Sequence, residues 1–143
     1  MNNQMKYWIV TISKEHVLKG QEWEIMQVCH GKKSPLKRIN KGDYVIFYSS
    51  KQKMKDKEPL QNFTAIAQAT DDHIYQVKQF EGFEPFRRKV SFLPCEETSI
   101  RPMINDLEFI ENKSHWGFYF RYGLVQIPEK DFHLIASKMS LQL

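Results

Sequence analysis

The apolar residues come in short runs rich in β-branched and aromatic side chains, and none is long enough for an extended buried helix. Residues 43–50, DYVIFYSS, alternate as a strand does, and residues 6–12 (KYWIVTI) and 62–70 (NFTAIAQAT) share that character. Residues 73–79 (HIYQVKQ), 87–93 (RRKVSFL) and 120–127 (FRYGLVQI) predict further strands. Gly82 and Pro85 in FEGFEPF interrupt regular pairing between the fourth and fifth of these. The expected architecture is therefore α+β: five to six strands in a small, strongly bent sheet or barrel, with short helices packed outside it.

Helical signals are fewer. Ser13 as N-cap and Gly20 as terminator predict a helix of about two turns over KEHVLKG. Pro35 opens a helical turn in PLKRIN. Pro128 starts a closing helix in which Phe132, Ile135, Ala136 and Met139 recur at helical spacing. A chain of 143 residues with 41% hydrophobic residues has the size and composition of one globular domain spanning residues 1–143.

Several chemistries find no support. No apolar run approaches the roughly 20 residues of a membrane helix, and MNNQMKYWIV lacks the layout of a secretion signal, so a cytoplasmic protein is expected. Cys29 and Cys95 form no Cys-x-x-Cys spacing, which predicts two reduced thiols. The scattered glycines make no phosphate-cradling loop, and the histidines and cysteines have no ligand spacing. The expectation is a monomer without cofactor or metal.

The basic and aromatic residues carry the functional signal. The formal charge is +4, and it is unevenly distributed: GKKSPLKRINKG, KQKMKDKE and RRK concentrate it beside aromatic segments. Rings that stack on bases next to cations that hold phosphates are the elements of a nucleic-acid surface. In SHWGFYFRYG, residues 114–123, strand alternation puts Phe118, Phe120 and Tyr122 on one face and Tyr119 and Arg121 on the other. On that reading Phe118 and Phe120 fill the core, while Trp116, Tyr119 and Arg121 edge a cleft.

KYWIVTISKEHVLKG, CHGKKSPLKRINKGDYVIFYSS, EPLQNFTAIAQA, FRRKVSFLPCEETSIRPMINDLEFI and HWGFYFRYGLVQIPEKDF, in this order, resemble the bacterial and archaeal EVE-domain proteins of the PUA-like superfamily. The resemblance implies a pseudo-β-barrel of mixed strands related to the YTH readers of methylated adenine in RNA. It also implies a non-catalytic module that takes a modified base of RNA or DNA, such as 5-methylcytosine or N6-methyladenine, into an aromatic-lined pocket. Carried onto this chain, the base pocket would comprise Trp8, Ser13, Tyr48, Ser49, Phe86, Trp116, Tyr119 and Arg121. The flanking basic surface would comprise His30, Lys32, Lys33, Arg87 and Arg88. Phe86 stands where many relatives carry tryptophan. Two other readings stay open: an amidohydrolase of modified nucleosides, like those of the related ASCH branch, using His30, Lys32 and Glu58, and a pocket for a small anionic ligand.

Overall fold

Strand β1 (Tyr7–Thr11) lies parallel to β3 (Tyr44–Ser49), with Tyr7 opposite Tyr44 and Thr11 opposite Tyr48, in a computed structural model that describes residues 5–141. Parallel neighbours need a long crossover. Here it consists of helix α1 (Lys14–Trp23), the two-residue strand β2 (Ile25–Met26), a 3-10 turn at Cys29–Gly31 and helix α2 (Lys33–Leu36). The remaining strands are β4 (Asn62–Gln76), β5 (Phe86–Leu93), β6 (Thr98–Ser99) and β7 (Leu124–Ile127), and helix α3 (Glu129–Lys138) closes the chain. The sheet runs β2-β5-β4-β3-β1-β7, with β6 beside β4, and β1/β3 is its parallel pair.

This is the expected mixed α+β sheet with peripheral short helices, built from seven strands among the described residues where five or six were expected. β2 and β6 are too short to leave a pattern in the sequence. Residues 62–70 and 73–79, read as two strands, belong largely to the single strand β4, because Asp71 and Asp72 sit in a bulge between Ala69 and Ile74 and do not end the strand. A bulge turns the strand without terminating it. Both acids are used there: Asp71 accepts from the His73 amide at 3.0 Å and Asp72 from the Lys41 amide at 2.7 Å.

Both faces of the central strands are covered, so β3 reads as a continuous apolar run. Ile9, Ile46 and Ile66 point into one core with Phe132, Ile135, Ala136 and Met139, the face predicted for α3. Trp8, Val10, Val45 and Phe47 point into the other, under Val17 of α1 and Leu36 of α2. A bulge at Phe47/Tyr48 brings Phe63 to the same side as Ile66. α1 passes its predicted end at Gly20 and stops at Trp23, where Glu24 is left-handed (φ 55°). Gly20 serves contact instead: a Cβ there would lie 2.8 Å from the carbonyl oxygen of Ile25.

The aromatic segment departs from expectation. Lys113–Arg121 forms 3-10 turns with a kink at His115, so the strand predicted from Phe120 begins only at Leu124, as β7. The alternation expected for residues 114–123 therefore does not apply. Phe120 is buried and stacks on Tyr48 with centroids 4.1 Å apart, while Phe118 is 47% exposed.

Candidate functional site

β1 and β3 run parallel, so their carboxyl ends open on one side, and the chain leaves them in different directions. Main-chain bonds join the departing loops. Ile12 donates to Tyr48 O at 3.1 Å, Lys14 to Lys51 O at 3.1 Å and Glu15 to Gln52 O at 2.9 Å. The last two satisfy amides at the start of α1. Ser13 is thereby free of capping duty, and its hydroxyl bonds His16 Nδ1 at 2.8 Å.

Above these ends lies a cleft of about 750 Å³. Its floor includes Val17, Met26, Phe120 and the stacked pair Phe47 and Phe92, whose centroids are 5.5 Å apart. The turn at residues 29–31 lines one side with three successive left-handed residues: Cys29 (φ 48°), His30 (61°) and Gly31 (84°). The Gly31 and Lys32 amides both donate to Val28 O, at 2.9 and 3.2 Å, which tightens that turn. Pro85 pins it from outside, since a Cβ on Gly31 would lie 2.5 Å from the Cβ of Pro85. Gly123, just ahead of β7, presses on it from the other side: a Cβ there would lie 2.5 Å from Cys29 Sγ.

The mouth carries apolar bulk in water. Trp23 is 41% exposed, Met54 59% and Phe80 61%. Trp23 is backed by Arg87, whose guanidinium carbon lies 5.1 Å from the indole centroid. The guanidinium is held in turn by Gln27 (Nε, 2.9 Å) and Gln79 (Nη2, 3.1 Å). Lys19, Lys51 and Arg121 bring three positive charges, His16 and His30 add imidazoles, and no Asp or Glu is among the described lining residues. Such a cavity suits a flat, neutral or anionic ligand.

The structure brings only some of the expected site residues to this cleft. Ser13, His30 and Arg121 line it. Trp8 is 1% exposed in the core of the α1 and α2 face, with its indole N–H on Asp43. Tyr48 and Ser49 are buried beneath the cleft, Ser49 sharing a hydrogen bond with Thr64 at 2.9 Å. Burial pushes the Tyr48 phenol well above its ordinary value, with nearby Arg101 opposing the shift. Phe86 lies outside the cleft, with Lys33 Nζ 5.6 Å from its ring centroid. Trp116 sits edge-on to Phe120 with Arg101 5.7 Å from its ring centroid. Tyr119 and Arg121 border a second hollow beside the cleft.

Of the basic residues, Lys32 and Lys33 are exposed and Arg87 is half-buried behind Trp23. Arg88 is 1% exposed. Its guanidinium donates to the carbonyls of Leu36, Ile39 and Asp71, tying the end of α2 to the β4 bulge. Of His30, Lys32 and Glu58, only His30 lines the cleft; the other two are exposed outside it. Among the described residues no group of three or more His, Cys, Asp or Glu is placed to hold a metal, and no helix is long and apolar enough to cross a membrane. Trp23, Gln79, Phe80 and Phe92 were not anticipated. Trp23 and Phe80 gave one signal, an aromatic residue inside an otherwise polar or glycine-broken stretch; Phe92 read as an ordinary strand residue and Gln79 gave none.

A mixed sheet with this strand order and a cleft at the ends of β1 and β3 is of the same fold as the YTH domains. It superposes on the YTH domain of the Zygosaccharomyces rouxii MRB1 protein, solved in complex with N6-methyladenosine RNA, with a TM-score of 0.61. The match covers 96% of this chain and 88% of that one at 14% identity, a likeness of fold. The EVE domain family model matches residues 6–138, and the chain belongs to that family. Among its relatives is the Bacillus licheniformis "UPF0310 protein in gntR 5'region", 49% identical over 137 residues, which are 96% of this chain and 93% of that protein. A UPF0310 protein of Mycolicibacterium vanbaalenii is 47% identical over 135 residues, covering 94% and 93%.

Proposed function

We propose that this EVE domain is a non-catalytic binding module that takes a modified, methylated base of RNA or DNA, turned out of its strand, into the cleft of about 750 Å³. The observation that carries the reading is the make-up of that cleft: an aromatic and apolar floor, a rim with Lys19, Lys51 and Arg121, and no described carboxylate in the lining. A neutral methylated base gains from dispersion and apolar burial on Phe47, Phe92 and Trp23, the added methyl contributing about 0.8 kcal/mol. Ser13, whose hydroxyl is engaged by His16 and not by the helix start, hydrogen-bonds the base edge. Arg121 and the exposed Lys32 and Lys33 hold phosphates, and Arg87 stiffens the Trp23 wall. The YTH domain solved with N6-methyladenosine RNA, which shares the fold, supports the same class of ligand.

The test is titration of the purified protein with matched short single and double strands of RNA and DNA. These carry cytosine, 5-methylcytosine, 5-hydroxymethylcytosine, adenine or N6-methyladenine, at two salt concentrations. A preference for one modified base that survives high salt is expected, and Trp23→Ala should abolish it with the fold intact. Weak binding that is indifferent to the base and vanishes with salt would overturn the reading.

A further inference from the structure

Past a kink at His115 the 3-10 geometry of the Lys113–Arg121 segment has three residues per turn, so Phe118 and Arg121 are brought to one face. The segment is anchored from within by Phe120 on Tyr48, and from its flank by the Tyr119 hydroxyl, which accepts from the amides of Glu111 and Asn112 at 3.0 Å each. What it turns outward is a hollow of about 750 Å³ lined by Asn112, His115, Gly117, Phe118, Tyr119 and Arg121. Phe118 remains in water, edge-on to Tyr122, itself 57% exposed, at 5.7 Å between centroids. Arg121 is exposed, its side chain has no hydrogen-bond, ion-pair or ring partner among the described residues, and it lines both this hollow and the cleft.

An unpaired cation between two ring-lined hollows matches the repeat of a single strand, base then phosphate then base. We propose that this hollow is a second nucleobase subsite, which takes the nucleotide next to the one in the cleft, with Arg121 on the phosphate that joins them. The proposal rests on the base-binding reading of the cleft and extends it: the ligand is a single strand of at least two nucleotides, gripped at two bases.

N6-methyladenosine and 5-methylcytidine are titrated as free nucleosides, at the centre of U-x-U trinucleotides, and in the same trinucleotides with abasic neighbours. The variants are Phe118→Ala and Gly117→Leu; Gly117 lines the hollow and an added Cβ there meets nothing within 4 Å, so leucine is chosen to obstruct it. For the modified base that binds, both variants should weaken the full trinucleotide about tenfold, as loss of one stacked base does. Free-nucleoside affinity should stay unchanged, and the abasic strand should bind wild type and variants alike. Trinucleotide affinity unaffected by both variants while the nucleoside still binds would overturn the second subsite alone. Equal loss for nucleoside and trinucleotide would overturn it too, by assigning Phe118 to the cleft. Failure of wild type to bind any of these probes, together with any of the modified RNA and DNA strands of the first titration, would overturn the cleft reading and the subsite together.

Discussion

The indole N–H of Trp8 donates to the Oδ2 of Asp43 at 2.9 Å, and both side chains are 1% exposed. The same carboxylate accepts from the amides of Lys6 (3.0 Å) and Asn40 (2.8 Å), so one buried charge ties β1, the end of the crossover and β3 together. Three donors compensate its burial.

Trp8→Phe keeps the apolar bulk and removes one donor. It should lower stability by roughly 1–3 kcal/mol, read as a lower urea midpoint, with base discrimination retained. Asp43→Ala leaves all three donors unpaired and should cost more than Trp8→Phe. Loss of discrimination by folded Trp8→Phe would bring Trp8 back to the binding site.

Arg88 and the lysines at 32 and 33 separate by the same logic. Arg88→Met strips donors from three carbonyls and should lower stability by roughly 3 kcal/mol while leaving the salt dependence of strand binding unchanged. Lys32→Ala or Lys33→Ala should do the reverse, reducing the salt slope by about one with the urea midpoint unmoved.

Close approach across the cleft makes two glycines sensitive for different reasons. Gly31→Ala meets both a left-handed backbone (φ 84°) and the Cα of Pro85 at 2.9 Å, and should destabilise by about 2 kcal/mol or more. Gly123→Ala meets only Cys29 Sγ at an unacceptable distance, the next contacts being 3.5 and 3.6 Å. Adding Cys29→Ala should therefore recover stability, with a coupling of about 1 kcal/mol in a double-mutant cycle. Additive effects would show that the contact with Cys29 Sγ is not the cause.

Tyr48 predicts an alkaline limit. Burial raises its phenol above the ordinary value of 10.0, so the folded protein holds the proton that the unfolded chain releases near that pH. Its stabilising contribution is complete below pH 10 and is lost as the pH rises further. Tyr48→Phe should flatten the fall of the urea midpoint above pH 10. A residual slope should remain, because burial and Glu129 raise Tyr7 as well. Identical slopes for both proteins would refute the assignment.

Local patterns were legible wherever one face of an element decides its packing. The face of α3 was readable from Phe132, Ile135, Ala136 and Met139, and the central strands from their β-branched runs. Residues 118–121 were not readable, because a dense aromatic run satisfies strand propensity while its fold is set by where Phe120 can be buried. The acids at 71 and 72 looked like a strand end for a similar reason: nothing local reveals that Arg88 and Lys41 meet them in a bulge.

By itself the sequence determined the fold class, the EVE family through its ordered motifs, the basic surplus and a supply of aromatic rings. The tertiary structure decided which rings and cations face the cleft. Trp8 lies in a strand of a sheet buried on both faces and Trp23 ends helix α1 at the mouth, a difference that aromatic character alone does not carry. The cleft is assembled from Ser13, Trp23, His30, Lys51, Phe80 and Arg121, residues distant in sequence that only the strand order brings to one rim.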